Sequence, residues 1–346
     1  MFAFSRRLLP VLQLTRMALV FTAIADSQCG LLLGWANRSP RGDWQGQFRI
    51  DQFLLIVLMS FGLYGFGMSL NDIIDRRRDA QIAAGRPLPS GRIGVITAHA
   101  ICFLLAGCAV AAGAAYAQIS SVHGLLSFLL VVGTGLLITF YDVAGKYLVG
   151  PGLLTLGFIR FFHAAIPSPE VPLLWHPLLL LNHVTILSTV AYVWEEKRPA
   201  LTRLHWWGVL GGLGLFDALA ISVVAWRRYD GSMVEALHIR PGLLLPGAAA
   251  LLFVATAYRI RKTSPTRRGA GQKIMLFGLL WLILYDAGFV AGYVSPLLGL
   301  LLLVLLPVAY FAVQLMRWWS QMVVMSQKPQ FQRAVSTEEL KGHSKS

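Results

Sequence analysis

The stretch that decides the reading of this chain is Asn71-Asp72-Ile73-Ile74-Asp75-Arg76-Arg77-Arg78-Asp79. It lies between two long apolar runs, so its charges fall at the end of a helix that the pattern predicts to cross a membrane. If that helix continues through Asp79, a turn of ~100° per residue brings Asp72, Asp75 and Asp79 within an arc of roughly 60°. The stretch therefore predicts three carboxylates on one helix face.

Three carboxylates on one face repel one another unless a positive group lies between them. A divalent cation fits this position, and oxygen ligands favour Mg²⁺, whose coordination is commonly completed by substrate phosphates. Asn71 lies near the edge of the same arc and adds a neutral oxygen. The alternative is a polar loop in which the arginines at 76–78 only mark the cytoplasmic side of the membrane. That alternative explains the arginines but not the three aspartates.

Composition places the whole chain in a membrane. Of its 346 residues, 56% are hydrophobic and only 13% are charged, and the mean hydropathy is +0.63. A net charge of +14 would suggest nucleic acid for a soluble protein, but these basic residues occupy short segments between apolar runs. We therefore expect a lipid bilayer and no nucleic acid as partner. Cys29, Cys102 and Cys108 lack the sequence spacing of a metal site and are interpreted as buried small residues.

Ten segments approach the ~20 apolar residues that a helix needs to cross ~30 Å of hydrocarbon. They are 13–35, 52–70, 93–118, 122–141, 152–167, 176–194, 205–226, 241–258, 273–292 and 295–316. We predict an all-α polytopic bundle of nine or ten transmembrane helices, because the last pair could also be one span and a re-entrant segment. Residues 1–326 would form one domain, and the polar residues 327–346 a disordered cytoplasmic tail.

The distribution of basic residues predicts the orientation of the bundle. With the N-terminus inside, 23 Lys and Arg residues fall on the cytoplasmic side and 6 on the other. This orientation places the aspartate-rich stretch on the same face as the connections 142–150, 195–204 and 259–272. We therefore expect these four segments to surround a single site.

A resemblance to a known family agrees with this interpretation. Residues 71–79 read N-D-x-x-D-x-x-x-D and residues 86–91 read R-P-L-P-S-G. Together they resemble the first aspartate-rich motif of the UbiA superfamily of intramembrane prenyltransferases, over about residues 15–200. The resemblance implies a helical membrane bundle, Mg²⁺, an isoprenyl diphosphate and a hydrophobic acceptor. It also implies catalytic roles for the three aspartates.

A second element lies at the end of the fourth predicted span. Tyr141 and Lys146 resemble a Tyr-x-x-x-x-Lys element of UbiA-like enzymes, in which the lysine is expected near the diphosphate. Membrane topology alone would also place a lysine at this position. Arg160 lies deeper, within a predicted span, and a buried arginine needs either a diphosphate or a carboxylate as its partner.

The segment 192–198, Tyr-Val-Trp-Glu-Glu-Lys-Arg, departs from the family pattern. The family usually carries D-x-x-x-D here, whereas Glu195 and Glu196 are adjacent and point ~100° apart on a helix. Compared with the family pattern, the second metal site is therefore altered. Lys197 and Arg198 become candidates for direct contact with phosphate. A solvated charged turn is the alternative.

The predicted site residues fall into three groups. The catalytic group is Asp72, Asp75, Asp79, Lys146 and Tyr141. The diphosphate-binding group is Asn71, Arg86, Arg92, Arg160, Lys197 and Arg198. The metal ligands are Asp72, Asp75, Asp79, Glu195 and Glu196. Three more acids, Asp26, Asp217 and Asp286, interrupt predicted spans, and we interpret them as inward carboxyls satisfied by neighbouring helices.

The sequence thus predicts Mg²⁺-dependent transfer of a prenyl group to an aromatic or lipid acceptor by a multi-pass membrane protein. Its active site would face the cytoplasm, from the inner membrane if the source is bacterial. The alternatives are a catalytically degenerate prenyl-lipid-binding protein and a cation or proton transporter that uses the intramembrane carboxylates. A headgroup phosphotransferase is disfavoured because D-G-x-x-A-R is absent. We expect an acceptor other than 4-hydroxybenzoate, because no basic residue near the rim is clearly spare for a benzoate carboxylate.

Overall fold

A computed structural model of the protein describes residues 2–39, 48–120 and 123–327. Over these ranges the regular structure is helical, without strands. The helices are α1 (Phe2–Leu14), α2 (Val20–Arg38), α3 (Ile50–Ile74), α4 (Arg76–Ile82), α5 (Val95–Ile119), α6 (Gly124–Val143), α7 (Val149–Ala165), α8 (Trp175–Trp194), α9 (Arg203–Arg228), α10 (Met233–Ala236), α11 (Leu244–Thr263), α12 (Arg267–Tyr293), α13 (Pro296–Leu303) and α14 (Leu305–Gln327). Beyond Gln327, the predicted tail lies outside the described residues.

Nine helical segments in the described ranges are long and apolar enough to span a membrane. They are Met17–Arg38, Ile50–Ile74, Val95–Ile119, Gly124–Val143, Trp175–Trp194, Arg203–Arg228, Pro241–Thr263, Arg267–Tyr293 and Pro296–Met322. A shorter apolar helix, α7, has 17 residues. The predicted all-α bundle of nine or ten spans is confirmed, and α13 and α14 together supply the last span.

The aspartate-rich stretch lies where α3 passes into α4. The helix assignment is interrupted at Asp75, yet the Asp75 amide donates to the Asn71 carbonyl at 2.9 Å and the Asp79 amide to the Asp75 carbonyl at 2.8 Å. Helical hydrogen bonding therefore continues across the junction, as the sequence predicts. The chain leaves the helix after Ile82, shortly before Pro87, which has no amide hydrogen to donate.

Small residues let the helices on either side of the site pack closely. A Cβ built at Gly62 of α3 would lie 2.7 Å from the Leu105 carbonyl oxygen of α5, and one at Gly157 of α7 would lie 2.6 Å from the Leu181 carbonyl oxygen of α8. Any larger side chain would push these helix pairs apart. The close packing fixes the ends of α3 and α8, from which the two acidic segments project.

The N-terminal helix α1 packs against the loop that follows α4. Leu14 is fully buried in a cluster with Leu88 and Ile93, and Arg92 donates a hydrogen bond to Gln13 Oε1 at 2.9 Å. The loop that carries the R-P-L-P-S-G motif is thus attached to the start of the chain. This attachment also places the connection between α1 and α2 beside the aspartates.

Candidate active site

Asp72 and Asp79 share one basic partner. Both carboxylates are buried, and Nη1 of Arg86 lies 2.5 Å from Asp79 Oδ2 and 3.6 Å from Asp72 Oδ1. Asp72 and Asp79 are seven positions apart, which is about two helical turns, so the unbroken hydrogen bonding brings them to one face. The R-P-L-P-S-G loop therefore supplies a guanidinium that joins the first and last acid of the motif.

Asp75 is paired with the second predicted element. Lys146 Nζ donates to Asp75 Oδ1 at 2.7 Å, and both side chains are largely buried. Lys146 lies in a 3₁₀ turn, Gly145–Tyr147, which follows α6 directly. Tyr141, near the end of α6, is close enough to Asp75 to interact with its charge. The structure thus brings the first motif and the Tyr141–Lys146 element together.

Two residues of this cluster were not predicted as site residues. Arg16, between α1 and α2, lies with Nη2 3.3 Å from Asp72 Oδ1, and its backbone φ of 45° is in the left-handed region. Asp142 is buried beside the Lys146 and Asp75 charges, and its Oδ1 accepts no hydrogen bond within the described ranges. The sequence does hold a signal for each of these two site residues, because Arg16 follows the first helix and Asp142 follows Tyr141.

The donor set of this cluster suits a magnesium ion with a phosphorylated ligand. Four carboxylates, Asp72, Asp75, Asp79 and Asp142, face three basic side chains, Arg16, Arg86 and Lys146. Hard oxygen donors are the ligands that Mg²⁺ prefers, and the unsatisfied buried oxygen of Asp142 is a free acceptor in the same group. The residues present therefore fit Mg²⁺, with the cations available for phosphate oxygens.

The second acidic segment has a different geometry. Glu195 follows the last residue of α8 and pairs with Lys197 at 3.0 Å, while Glu196 turns away with a φ of 55°. Glu196, Lys197 and Arg198 line a cleft of about 340 Å³ together with Trp206. The two glutamates do not converge, which agrees with the ~100° divergence expected from their adjacency.

The surrounding connections are brought to this side of the bundle as predicted. The Arg78 guanidinium of α4 lies within electrostatic range of the Tyr192 hydroxyl of α8. A Cβ at Gly271 would lie 2.6 Å from Cγ of Glu195, and the Arg261 guanidinium lies 6.0 Å from the Trp194 ring centre. The first motif, the second acidic segment and the 259–272 connection therefore lie next to one another.

Known proteins are similar to this chain in sequence and in fold. The model of the UbiA prenyltransferase family matches residues 43–195, which include the aspartate-rich stretch and the Tyr141–Lys146 element and end at Glu195. Over these residues the chain is similar to the UbiA prenyltransferase family. A search of curated protein sequences gave no significant match.

Two solved structures show the same fold. A structure of digeranylgeranylglyceryl phosphate synthase superposes with a TM-score of 0.57 at 18% identity, over 84% of this chain and 99% of the other. A UbiA homologue from Archaeoglobus fulgidus, bound to GPP and Mg²⁺, superposes with a TM-score of 0.51 at 17% identity, over 81% of this chain and 99% of that homologue. The similarity extends well beyond the matched family segment and establishes a UbiA-like bundle.

Three of the predicted diphosphate-binding residues are engaged elsewhere in this UbiA-like chain. Arg92 donates to Gln13 and, at 2.5 Å, to the Gly85 carbonyl, and its partial burial lowers the pKa of its guanidinium. Arg160 pairs with Asp26 at 2.5 Å inside the bundle. Lys197 is held by Glu195. Of the basic residues in that group, Arg86 pairs with aspartates of the first motif.

The intramembrane acids have partners on neighbouring helices. Asp26 accepts from Arg160, Asp286 lies 2.8 Å from Nε2 of His176, and Asp217 accepts from the Asn182 amide at 2.9 Å. These contacts agree with the interpretation of inward carboxyls satisfied within the bundle.

Proposed function

We propose that this protein is a Mg²⁺-dependent prenyltransferase that transfers an isoprenyl group from its diphosphate to a hydrophobic acceptor. The observation that carries the proposal is the convergence of Asp72, Asp75 and Asp79 with cations from three other segments. The match to the UbiA prenyltransferase family over residues 43–195 and the ligands of the Archaeoglobus fulgidus homologue, GPP and Mg²⁺, support the same reaction class.

The ion pairs suggest how the substrate is bound. Arg16, Arg86 and Lys146 now neutralise the aspartates, so the site is nearly balanced in charge without a ligand. A magnesium diphosphate brings both a cation for the carboxylates and anionic oxygens for the basic side chains. Binding would then exchange partners, with the aspartates turning to the metal and the three cations to the phosphates.

The same groups would assist cleavage of the carbon–oxygen bond. As the allylic carbon separates from the diphosphate, negative charge grows on the leaving oxygens, where Arg16, Arg86 and Lys146 would donate hydrogen bonds. Bound Mg²⁺ supplies Lewis-acid stabilisation of that leaving group, worth several kcal/mol. Tyr141 is placed to shield the allylic cation from water and to stabilise it with its ring. The hydrocarbon tail would extend into the apolar bundle.

The basic cytoplasmic segments support an active site that faces the cytoplasm, in the inner membrane if the protein is bacterial. The acceptor is aromatic or lipid. We expect it to be other than 4-hydroxybenzoate, because Arg160 and Lys197 already neutralise Asp26 and Glu195, which leaves them unavailable for a benzoate carboxylate.

The deciding experiment incubates purified protein with radiolabelled geranylgeranyl diphosphate, Mg²⁺ and a panel of acceptors, and measures pyrophosphate release and labelled product. Product formation supports the proposal. Tight binding without release would instead favour the degenerate prenyl-lipid-binding protein, for which the divergent glutamates are the motivating observation. Ion flux in proteoliposomes without pyrophosphate release would favour transport.

A further inference from the structure

A second group of metal-binding side chains lies inside the helix bundle, apart from the aspartate-rich stretch. Cys29 on α2, His176 on α8 and Asp286 on α12 are at most 1% exposed. Their ligand atoms lie within 4.8 Å of one another. The three residues come from distant parts of the chain, which is why sequence spacing gave no sign of a site.

A fourth residue, the acid Asp26, lies against this group. Asp26 lies one helical turn before Cys29, and its carboxyl is within hydrogen-bonding reach of the Asp286 carboxyl. Oδ1 of Asp26 and Oδ2 of Asp286 are buried and accept a hydrogen bond from no donor in the described ranges. Two ionised carboxylates cannot face each other in a dry interior without a positive group between them. That group is either a single proton or a metal ion.

We propose that Cys29, His176, Asp286 and Asp26 bind a structural zinc ion. One thiolate, one imidazole and two carboxylates are zinc ligands, and four protein ligands make the closed tetrahedral shell of a structural site. A single shared proton would satisfy the two carboxylates. It would not explain why the Cys29 thiol also lies beside them.

Charge balance favours the same assignment. The zinc ion carries two positive charges, and the thiolate and two carboxylates carry three negative charges. Arg160, paired with the other oxygen of Asp26, supplies the remaining positive charge. The cluster is then neutral, as a site surrounded by hydrocarbon requires. Arg160 in this arrangement orients a zinc ligand, which accounts for its position away from the first motif.

Binding replaces two existing hydrogen bonds. The Cys29 thiol, which now donates to the Asp286 carbonyl at 3.6 Å, loses its proton to solvent and becomes the thiolate ligand. The proton shared by the two carboxyls leaves in the same way. Neutral His176, which donates from Nε2 to Asp286 without the metal, takes the tautomer with its proton on Nδ1 and presents the Nε2 lone pair to the ion. The ion would fasten α2, α8 and α12 together, whether or not the protein transfers prenyl groups.

Metal analysis tests the proposal directly. The protein is purified through an affinity tag without histidine, dialysed against a weak chelator and measured by mass spectrometry of its metals. We expect about one zinc ion per chain, the content of a closed structural site. Wild-type protein that carries no zinc, and that takes up neither Zn²⁺ nor Co²⁺ when refolded with it, would overturn the proposal in favour of a shared proton.

Matched variants identify the ligands. Cys29→Ser and His176→Gln should lower zinc affinity at least about tenfold. Cys102→Ser and His183→Gln change a buried cysteine and a buried histidine of the same bundle and should retain the metal. Equal zinc retention in all four variants would refute the assigned ligands. If Cys29→Ser does not fold, cobalt-substituted wild-type protein decides: a thiolate-to-cobalt absorption band supports the site, and cobalt bound without that band refutes it.

Discussion

The two acidic segments of this protein end α3 and α8 on the same side of the bundle, yet only one of them gathers its acids. At 71–79 the aspartates are three and four residues apart and helical hydrogen bonding continues through them. At 195–196 the glutamates are adjacent, and the chain leaves α8 between them with Glu196 in the left-handed region. Spacing and helix continuity together decide whether acidic side chains converge.

The partners of the acids differ in the same way. Asp72 and Asp75 pair with Arg16 and Lys146, which are 56 and 71 residues distant in the chain. Glu195 pairs with Lys197, only two residues away. The first segment is thus held by the tertiary fold, and its geometry is fixed before any ligand binds. The second is a local turn, whose charges satisfy one another.

Removal of the metal should have the largest effect on the first segment. Under the proposed function, EDTA should reduce pyrophosphate release from geranylgeranyl diphosphate to background, because the aspartates and the leaving diphosphate need the cation between them. Activity should return when Mg²⁺ alone is added in excess of the chelator. Release that persists in EDTA would exclude a metal role for the motif.

Asp75→Ala should lower kcat by ~10² or more, since each ~1.4 kcal/mol of lost transition-state stabilisation is tenfold in rate. The substitution removes a proposed metal ligand and leaves Lys146 without its carboxylate partner. Asp51→Ala is the matched control, because Asp51 lies at the other end of α3, where its side chain is 45% exposed and forms an ion pair with Arg49. Equal activity in the two variants would show that the motif does not act in catalysis.

Lys146→Met should lower kcat/KM by about tenfold, the equivalent of one charge-assisted hydrogen bond to the leaving group. Methionine keeps the length of the side chain while removing its charge. Lys262→Met, on the exposed end of α11, should leave kcat/KM unchanged. A loss of the same size in both variants would assign the effect to general surface charge.

Glu195→Gln and Glu196→Gln should each change kcat by less than about threefold, which is under ~0.7 kcal/mol. The reason is that neither glutamate converges with another acid, so neither is expected to hold a metal as a D-x-x-x-D motif would. A steady-state assay across Mg²⁺ concentrations measures kcat for both variants and the wild-type protein. A drop in either variant as large as that of Asp75→Ala would show that the two segments act together.

The sequence predicts the helices well because hydropathy and length suffice for membrane spans, as the boundaries of α5 and α8 show. The grouping of Asp72, Asp75 and Asp79 follows from helical periodicity, which is a local property. The choice between Asp26 and a diphosphate as the partner of Arg160 could not be made, because those two residues are 134 positions apart. Arg16 was missed for the same reason, since only the packing of α1 on the motif loop brings it to Asp72.

The ion pairs that exist in the absence of a ligand would also make the site selective for the complete magnesium diphosphate. A bare cation approaching Asp72 and Asp75 must compete with Arg16 and Lys146, and a bare phosphate must compete with carboxylates for the same basic groups. Under the proposed function, the magnesium diphosphate satisfies the carboxylates and the basic groups at once, which neither half of it does alone. The site would therefore favour joint binding of the metal and the diphosphate. The ion pairs would form again once pyrophosphate and metal leave together.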